Sequence, residues 1–238
     1  MNRTIKFGLA ALAIASLANV YAEESETVGE EPVGWTPVAL GLATPVQLPW
    51  GINRWDVNGL DLNLFYSDTP VMNGLMIGGL AATVRQDLCG WQISGLCNYN
   101  GGDVYGIRTT LGINIARKSV YGFDAGLASI ALEGDVDGLS IHFLGAAQNN
   151  MCGCQIGGIA NVSMIESYGA SIALGANIAK TAYGLQLACI FNMCEELHGA
   201  QVALVNYADL CENGFQIGLV NVIRSNVVPV LPFVNGHF

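Results

Sequence analysis

Glycine recurs along this chain at intervals of 15 or 16 residues. The repeating glycines stand at positions 59, 74, 90, 106, 122, 138, 153, 169, 184, 199 and 214. The surrounding phrase is clearest near the end, in Gly199-Ala-Gln-Val-Ala-Leu-Val-Asn206 and Gly214-Phe-Gln-Ile-Gly-Leu-Val-Asn221. A fixed period over most of a chain indicates one structural unit stacked on copies of itself. The sequence therefore constrains the architecture more than the chemistry.

Polarity alternates within each unit when the glycine is counted as position zero. Position +3 is aliphatic in nearly every unit, position −2 is aliphatic in most, position +2 is usually polar, and position +4 is usually small or polar. Alternation with period two is typical of a strand, and frequent glycine argues against a helix. We therefore expect an all-β chain in which positions −2 and +3 face the interior and position +2 faces outward.

Asparagine recurs at position +7 or +8 of seven units and bears on the choice between two all-β architectures. These residues are Asn98, Asn114, Asn161, Asn177, Asn192, Asn206 and Asn221. In a parallel β-solenoid (β-roll), equivalent amides stack at about 4.8 Å and can form a structural ladder from coil to coil. The pattern favours a repetitive parallel β-solenoid of about 11 coils of 15–16 residues, with N- and C-terminal caps.

The alternative is an antiparallel β-barrel of about 12 strands, with a function as an outer-membrane pore or scaffold. The final residue is Phe238, as is common in outer-membrane barrels, and four tyrosines could form an aromatic girdle. These are Tyr105, Tyr121, Tyr168 and Tyr183. The constant unit length argues against this alternative, because barrels commonly alternate short turns with long loops.

Composition shifts divide the chain into five segments. Residues 1–22 carry Arg3 and Lys6 before an apolar run and are expected to be a cleaved signal peptide. Residues 23–34 are an acidic lead-in that we expect to be disordered. Residues 35–58 and 227–238 are rich in proline and are expected to form the N-terminal cap and the C-terminal cap strand, around tandem repeats over 59–226.

Few residues suggest chemistry. The net charge of −10 argues against nucleic acid as a partner. Seven cysteines, an odd number, are expected to be mostly small apolar fillers, and one oxidised pair is the alternative. His142, His198 and His237 are expected to be solvated, because their spacing forms no ligand set. We predict no catalytic residues and no cofactor.

Acidic residues at position −3 are the one constellation with a possible ligand. Asp56, Asp87, Asp103 and Asp135 are weak candidates for a cation such as Ca²⁺, because stacked carboxylates repel unless they are solvated or bridged. Glu166 and Glu196 continue the row. A solvated corner is the simpler interpretation, since the sequence lacks the nonapeptide rhythm of calcium-binding β-rolls.

The repeats resemble those of exported bacterial surface repeat-containing proteins, which carry tandem Gly-Leu-Gln-Ile-Gly-Leu-x-Asn units. The resemblance covers about residues 35–238 and includes the segment from Thr36 to Pro49 and the tail Pro229-Val-Leu-Pro-Phe-Val-Asn235. Units three to six depart from the phrase, for example at Gly106-Ile-Arg-Thr-Thr and Gly122-Phe-Asp-Ala. The resemblance implies a bacterial protein that is exported and located at the surface, and it implies no activity. A looser similarity, to the β-roll heads of trimeric adhesins, concerns the fold alone.

Two functions from different classes therefore remain, and the second is the outer-membrane barrel that forms a pore or scaffold. The favoured one is a secreted, non-enzymatic protein of the bacterial cell envelope or surface, with a structural or interaction (adhesion) role. Its polar +2 and asparagine rows could meet a glycan or another protein, and association with the outer membrane is possible. An enzyme would need a carboxylate cluster in a groove, and uniform units leave little room for one.

Overall fold

The computed structural model describes residues 32–50 and 54–237, and strands are its only long elements, joined by short turns and bends. The predicted signal peptide and most of the predicted acidic lead-in lie outside these residues. The described strands, β1 to β16, are Gly34–Ala43, Val46–Leu48, Trp55–Thr69, Met72–Gly78, Ala81–Val84, Leu88–Ser94, Cys97–Asn100, Val104–Thr110, Ile113–Ala116, Val120–Ala131, Val136–Gly157, Ala160–Ala173, Ala176–Ala188, Phe191–Val202, Val205–Ile223 and Val230–His237. Over this part of the chain, no helix has the length and hydrophobicity needed to cross a bilayer.

The repeats stack as the coils of a parallel β-solenoid of about ten turns. Each coil has a front arm, positions −2 to +4, and a back arm, about positions +7 to +10, joined by a turn at +5 and +6. Front arms pair in parallel with their glycines aligned, as Gly74 does with Gly90 and Gly184 with Gly199. The predicted solenoid is confirmed. The alternative antiparallel barrel is wrong, because successive repeats are parallel.

The two ends of the stack differ from the repeats. At the amino-terminal end β1 pairs in parallel with β3, so the stack already begins inside the segment predicted as a cap, and β2 folds back on β1 antiparallel. At the other end β16 pairs antiparallel with β15. Antiparallel terminal strands cover edges that would otherwise offer unpaired backbone groups to another chain.

The interior lies on the even positions of the front arm. Position −2 packs inward as predicted, and Val57, Met72, Leu88, Val104 and Met151 are completely buried in one apolar cluster. Positions +2 and +4 also face inward, and so do the asparagine row and the position two residues after it.

The predicted orientation of positions +2 and +3 is wrong. The polar +2 row is buried, from Asp61 and Gln92 to Gln216, whereas the aliphatic +3 row points outward, with Ile156 and Leu187 more than a third exposed. The glycine does not change the alternation, since −2 and +2 are an even number of residues apart. Burial of amides is possible here because equivalent side chains from neighbouring coils supply each other's hydrogen bonds.

The repeated glycine is required by close approach between coils. Gly199 has φ of +143°, in a region that favours glycine, and a Cβ placed there would lie 2.1 Å from the carbonyl oxygen of Gly184. The same contact recurs from coil to coil along the row. Glycine therefore recurs once per coil because each coil has one point at which its backbone contacts the backbone of the preceding coil.

Candidate functional surface

Glutamines of the +2 row form an internal ladder near the carboxyl-terminal end. Gln216 donates from Nε2 to Oε1 of Gln201 at 2.8 Å, and Gln201 donates in the same way to Gln186 at 2.7 Å. All three side chains are buried. The residues that the sequence offered for glycan recognition are therefore occupied with one another inside the solenoid.

The asparagine row forms a second internal ladder. Asn161, Asn177, Asn192, Asn206 and Asn221 are joined in order, each Nδ2 donating to the Oδ1 of the next at 2.9–3.0 Å. The same amide nitrogens also donate to backbone carbonyls of the front arms, at position +3. Because every member is buried, this row stabilises the stack and cannot contact a partner.

The ladder begins again nearer the amino terminus as a single pair, with Asn98 donating to Asn114 at 2.9 Å. The next coil has Ser129 in register with Asn114. Asn114 donates instead to Asp124 at 2.6 Å. Where serine replaces asparagine in the row, the amide ladder thus ends and the last asparagine bonds to a buried carboxylate instead.

That carboxylate belongs to a buried ionic cluster in the middle coils. Arg108 is completely buried and donates from Nη2 to Asp124 at 2.9 Å and from Nη1 to Asn100 at 3.0 Å. Ser129 donates to the same carboxylate. Here an Arg–Asp pair joins the +2 positions of adjacent coils, where the carboxyl-terminal coils have a Gln–Gln contact.

His142 lies against this cluster and is 2% exposed, so its predicted solvation is wrong. Its Nδ1 is 3.0 Å from Ser140 Oγ, and its Nε2 is 3.7 Å from Asp124 Oδ2. Burial lowers the pKa of His142 below its usual value, against a smaller opposing effect of the Asp124 carboxylate. Serine, histidine and aspartate are the residue types of a nucleophilic triad. All three are buried, so a substrate could not reach the hydroxyl.

Carboxylates of the acidic row at position −3 accept hydrogen bonds from backbone N–H groups of the next coil. Asp87 accepts from the N–H of Asp103 at 2.8 Å, Asp103 accepts from the N–H of Ser119 at 3.0 Å, and Asp135 accepts from the N–H of Asn150 at 3.1 Å. Each of these carboxylates thus binds the backbone that leads into the front arm of the following coil.

The first member of the acidic row, Asp56, has its pKa raised by burial, with a smaller lowering by the Val71 backbone N–H. Within the described ranges no group of three or more histidine, cysteine, aspartate or glutamate side chains is placed to hold a metal ion.

The cysteines divide between interior and surface. Cys194 and Cys211 are buried, as expected of small apolar fillers, and Gln201 donates to Cys194 at 3.2 Å. Cys89, Cys152 and Cys189 are exposed, which the filler interpretation did not predict. All seven cysteines are free thiols.

The outer surface of the coils is apolar over most of the circumference. Position +1 is outward and is apolar in every unit, as is position +3 except for Thr109. The +1 residues are Leu60, Leu75, Trp91, Ile107, Phe123, Leu139, Cys154, Ala170, Leu185, Ala200 and Phe215. Most outward residues of the back arm are also apolar.

The turn between the two arms is apolar as well. Leu111 is 85% exposed, and Phe143 and Leu174 are each 67% exposed. Every residue at +5 and +6 is leucine, isoleucine, phenylalanine, valine, alanine, cysteine or glycine. Turns in contact with water are normally rich in polar residues.

We call the outward side chains of positions +1 to +7 the apolar wedge. In the eleven units, only three Asp, Glu, Lys or Arg residues occur between positions +1 and +8, namely Asp61, Arg108 and Asp124. All three are buried. The wedge therefore presents no formal charge to its surroundings. Single exposed apolar residues are ordinary, but a contiguous surface of this kind marks an interaction site.

Charge is concentrated on the opposite side of the coil, in the five positions that precede each glycine. We call this the charged edge. Apart from Asp68, every surface-exposed charge from residue 54 onward lies there or at its continuation, Arg224. Its ion pairs include Arg224–Asp209 at 2.9 Å. Acidic residues outnumber basic residues along the edge.

Aromatic side chains occupy position −1 in five units, and this is the position of the charged edge nearest to the wedge. Tyr105 stacks on Tyr121 with ring centroids 5.0 Å apart, and Tyr168 stacks on Tyr183 at 4.6 Å. The ring of His198 continues the second stack at 4.6 Å from Tyr183. These are the tyrosines that the barrel alternative assigned to a girdle, and they form two stacks along the solenoid, with Asp137 and Cys152 at position −1 between them.

A shallow groove of about 560 Å³ runs beside the second stack. Its floor is the backbone of Gly169, Gly184, Gly199 and Gly214, and its wall includes Leu185, Ala200 and Phe215. The groove is mainly apolar and is continuous with the wedge.

Sequence reasoning missed the wedge because aliphatic residues were assumed to be interior. The signal that could have found it is the absence of surface charge from +1 to +8, together with turns that lack polar residues. No family model, curated protein or solved structure matches this chain. The functional conclusion therefore depends on the geometry of the wedge, the aromatic row and the charged edge.

Proposed function

We propose that this chain is an exported, non-enzymatic protein of the bacterial cell envelope or surface, with a structural or interaction role. The observation that carries the proposal is the apolar wedge, which repeats along the whole stack without a surface charge. A repetitive surface of this kind favours contact with an extended partner over recognition of a small substrate.

A non-catalytic role is supported by where the ionisable groups lie. Arg108, Asp124 and His142 are enclosed by the coils, and the carboxylates of Asp87, Asp103 and Asp135 accept hydrogen bonds from the next corner. Groups that carry out general acid or base catalysis must reach the substrate. Adhesion through the polar rows is withdrawn, because those rows are interior.

Export is supported by the sequence of residues 1–22 and by an architecture built from stacked tandem repeats. Cell fractionation tests the proposal directly. We expect the full chain in the washed envelope fraction, with an amino terminus at Glu23, and we expect a deletion of residues 1–22 to remain in the cytoplasm. A full chain found in the cytoplasm with residues 1–22 intact would contradict it.

The non-enzymatic part has its own test. Purified protein is incubated with a panel of glycans, and reducing ends are measured. No release is expected. Release that disappears in Asp135→Asn would show an enzyme, and a fold check by circular dichroism would exclude simple unfolding of that variant.

A further inference from the structure

The apolar wedge is larger than the exposed patches of ordinary monomers. Its front face is about five residues wide, or roughly 16 Å at 3.3 Å per residue, and eleven coils at about 4.8 Å extend it to roughly 50 Å. The face therefore covers on the order of 800 Å², compared with about 300–600 Å² for the largest patch on a typical monomer. The turn row and the back arm add to this area.

Three features of the molecule indicate which kind of partner could cover the apolar wedge. The apolar surface continues around the turn from the front arm to the back arm, so a flat partner on one face would leave the exposed leucines at the turn uncovered. Tyrosines at −1 lie at the boundary with the charged edge, where aromatic residues stand at a membrane–water interface. Backbone groups of the coils are paired with neighbouring coils, as contact with hydrocarbon requires.

The width of the wedge also matches a lipid leaflet. Half of a hydrocarbon core of about 30 Å is about 15 Å, close to the roughly 16 Å that separates position +1, the first of the wedge, from the end of the turn at position +6. The amides of the glutamine and asparagine ladders bond to one another inside the solenoid, so they need not contact the hydrocarbon.

We propose that the apolar wedge inserts into one leaflet of a lipid bilayer, with the solenoid axis in the membrane plane and the charged edge in water. This inference rests on the envelope location proposed above. Hydrophobic burial is the driving force, as for other proteins that lie in an interface. The charged edge carries an excess of acidic residues, so anionic head groups contribute no attraction.

Flotation with phosphatidylcholine vesicles tests the proposal. Purified protein is mixed with vesicles and centrifuged in a density gradient, at low salt and in 1 M NaCl. We expect it to float with the vesicles under both conditions, and we expect no gain when anionic lipid is included. An attachment through charge would be lost in high salt.

Two double variants make the test specific to the wedge. Ile156→Glu with Leu187→Glu places two charges at outward +3 positions, and Gln86→Glu with Asn213→Glu places two at exposed positions of the charged edge. We expect the first pair to lower vesicle partitioning at least tenfold and the second to change it less than twofold. Circular dichroism confirms that both fold, and any effect of residues 1–22 is common to all variants.

Protein that stays at the bottom of the gradient would overturn the proposal, as would equal flotation of the Ile156→Glu, Leu187→Glu variant. Light scattering on unfloated protein would then show whether a second copy covers the wedge. Fractionation of cells decides the envelope location separately, so the lipid inference can fail while that proposal stands.

Discussion

Replacing Asn192 with alanine removes one member of the long amide ladder and tests whether the buried polar rows stabilise the stack. Asn192 is completely buried. Its Nδ2 lies at 2.9 Å from the Gln186 carbonyl, 3.0 Å from the Val202 carbonyl and 3.0 Å from Asn206 Oδ1, and its own Oδ1 accepts from Asn177 at 3.0 Å.

The magnitude follows from the partners left behind. A buried polar group without a partner costs about 1–3 kcal/mol. Asn192→Ala leaves two front-arm carbonyls and the Asn206 oxygen without this donor, while Asn177 keeps its donations to two backbone carbonyls. We therefore expect a loss of about 3–5 kcal/mol in the free energy of unfolding.

Urea denaturation followed by circular dichroism measures this loss. The matched control is Asn73→Ala, which removes an exposed amide pair with Asn58 at 2.7 Å and should change stability by no more than about 0.5 kcal/mol. A loss below about 1 kcal/mol in Asn192→Ala, or equal losses in the two variants, would refute the claim that the ladder is buried and stabilising.

Three further substitutions test the buried carboxyl, the repeated glycine and the buried ion pair. Burial raises the pKa of Asp61 to about 6, so its folded-state pKa lies above the unfolded value of 3.8 and its stabilising contribution is present below pH 4 and lost as the pH rises through 6. Asp61→Asn should therefore become more stable than the parent at pH 8, by up to about 3 kcal/mol, and lose that advantage at pH 4, as measured by thermal denaturation. Gly199→Ala should destabilise by at least about 2 kcal/mol because of its positive φ and the short backbone contact, whereas Gly34→Ala, whose nearest atoms are 3.6 Å away on a side chain, should be nearly neutral in the same urea assay. Arg108→Met should cost about 3–5 kcal/mol by leaving the buried Asp124 carboxylate without its cation, and the double variant Arg108→Met, Asp124→Asn should recover most of that loss.

Each of these three predictions has an outcome that would contradict it. A stability difference for the Asp61 variant that does not change with pH would show that this carboxyl is solvated. Equal effects at the two glycines would remove close backbone contact as the cause of the repeat. Failure of the Arg108, Asp124 double variant to regain stability would show that the loss in Arg108→Met does not come from an uncompensated Asp124 charge.

The stacking of the chain could be predicted because it depends on local, repeated features. The glycine period reports where coils touch, and the recurrence of asparagine reports a parallel register, since only parallel stacking brings Asn192 next to Asn206. These properties repeat at fixed spacing and need no knowledge of distant contacts.

The orientation of the front arm could not be predicted from hydrophobicity alone. Burial of glutamine is costly for one side chain but not for a stack, because Gln186, Gln201 and Gln216 satisfy one another. Once amides can be interior, alternation with period two allows either the polar +2 row or the aliphatic +3 row to face inward. The distribution of charge would have decided correctly, because a surface arm without charge is unusual in contact with water.

Single residues that depart from the repeat were the hardest to place. His142 was expected in solvent because it aligns with no other histidine, yet position +4 is interior in every coil that has a side chain there. Its partners, Ser140 and Asp124, come from the same coil and from the preceding one. The register of the stack had to be known before they could be identified.

The central claim is that the polar +2 row and the asparagine row are inside and the aliphatic +3 row is outside, and its most direct test is exchange of side-chain amide protons by NMR. Amide protons of Asn177, Asn192, Asn206, Gln186 and Gln201 should be strongly protected from exchange with D₂O. Nuclear Overhauser contacts should join Asn192 to Asn206, whose amide atoms lie 3.0 Å apart. Exchange at the rate of free amides, without those contacts, would place these side chains on the surface and contradict the account.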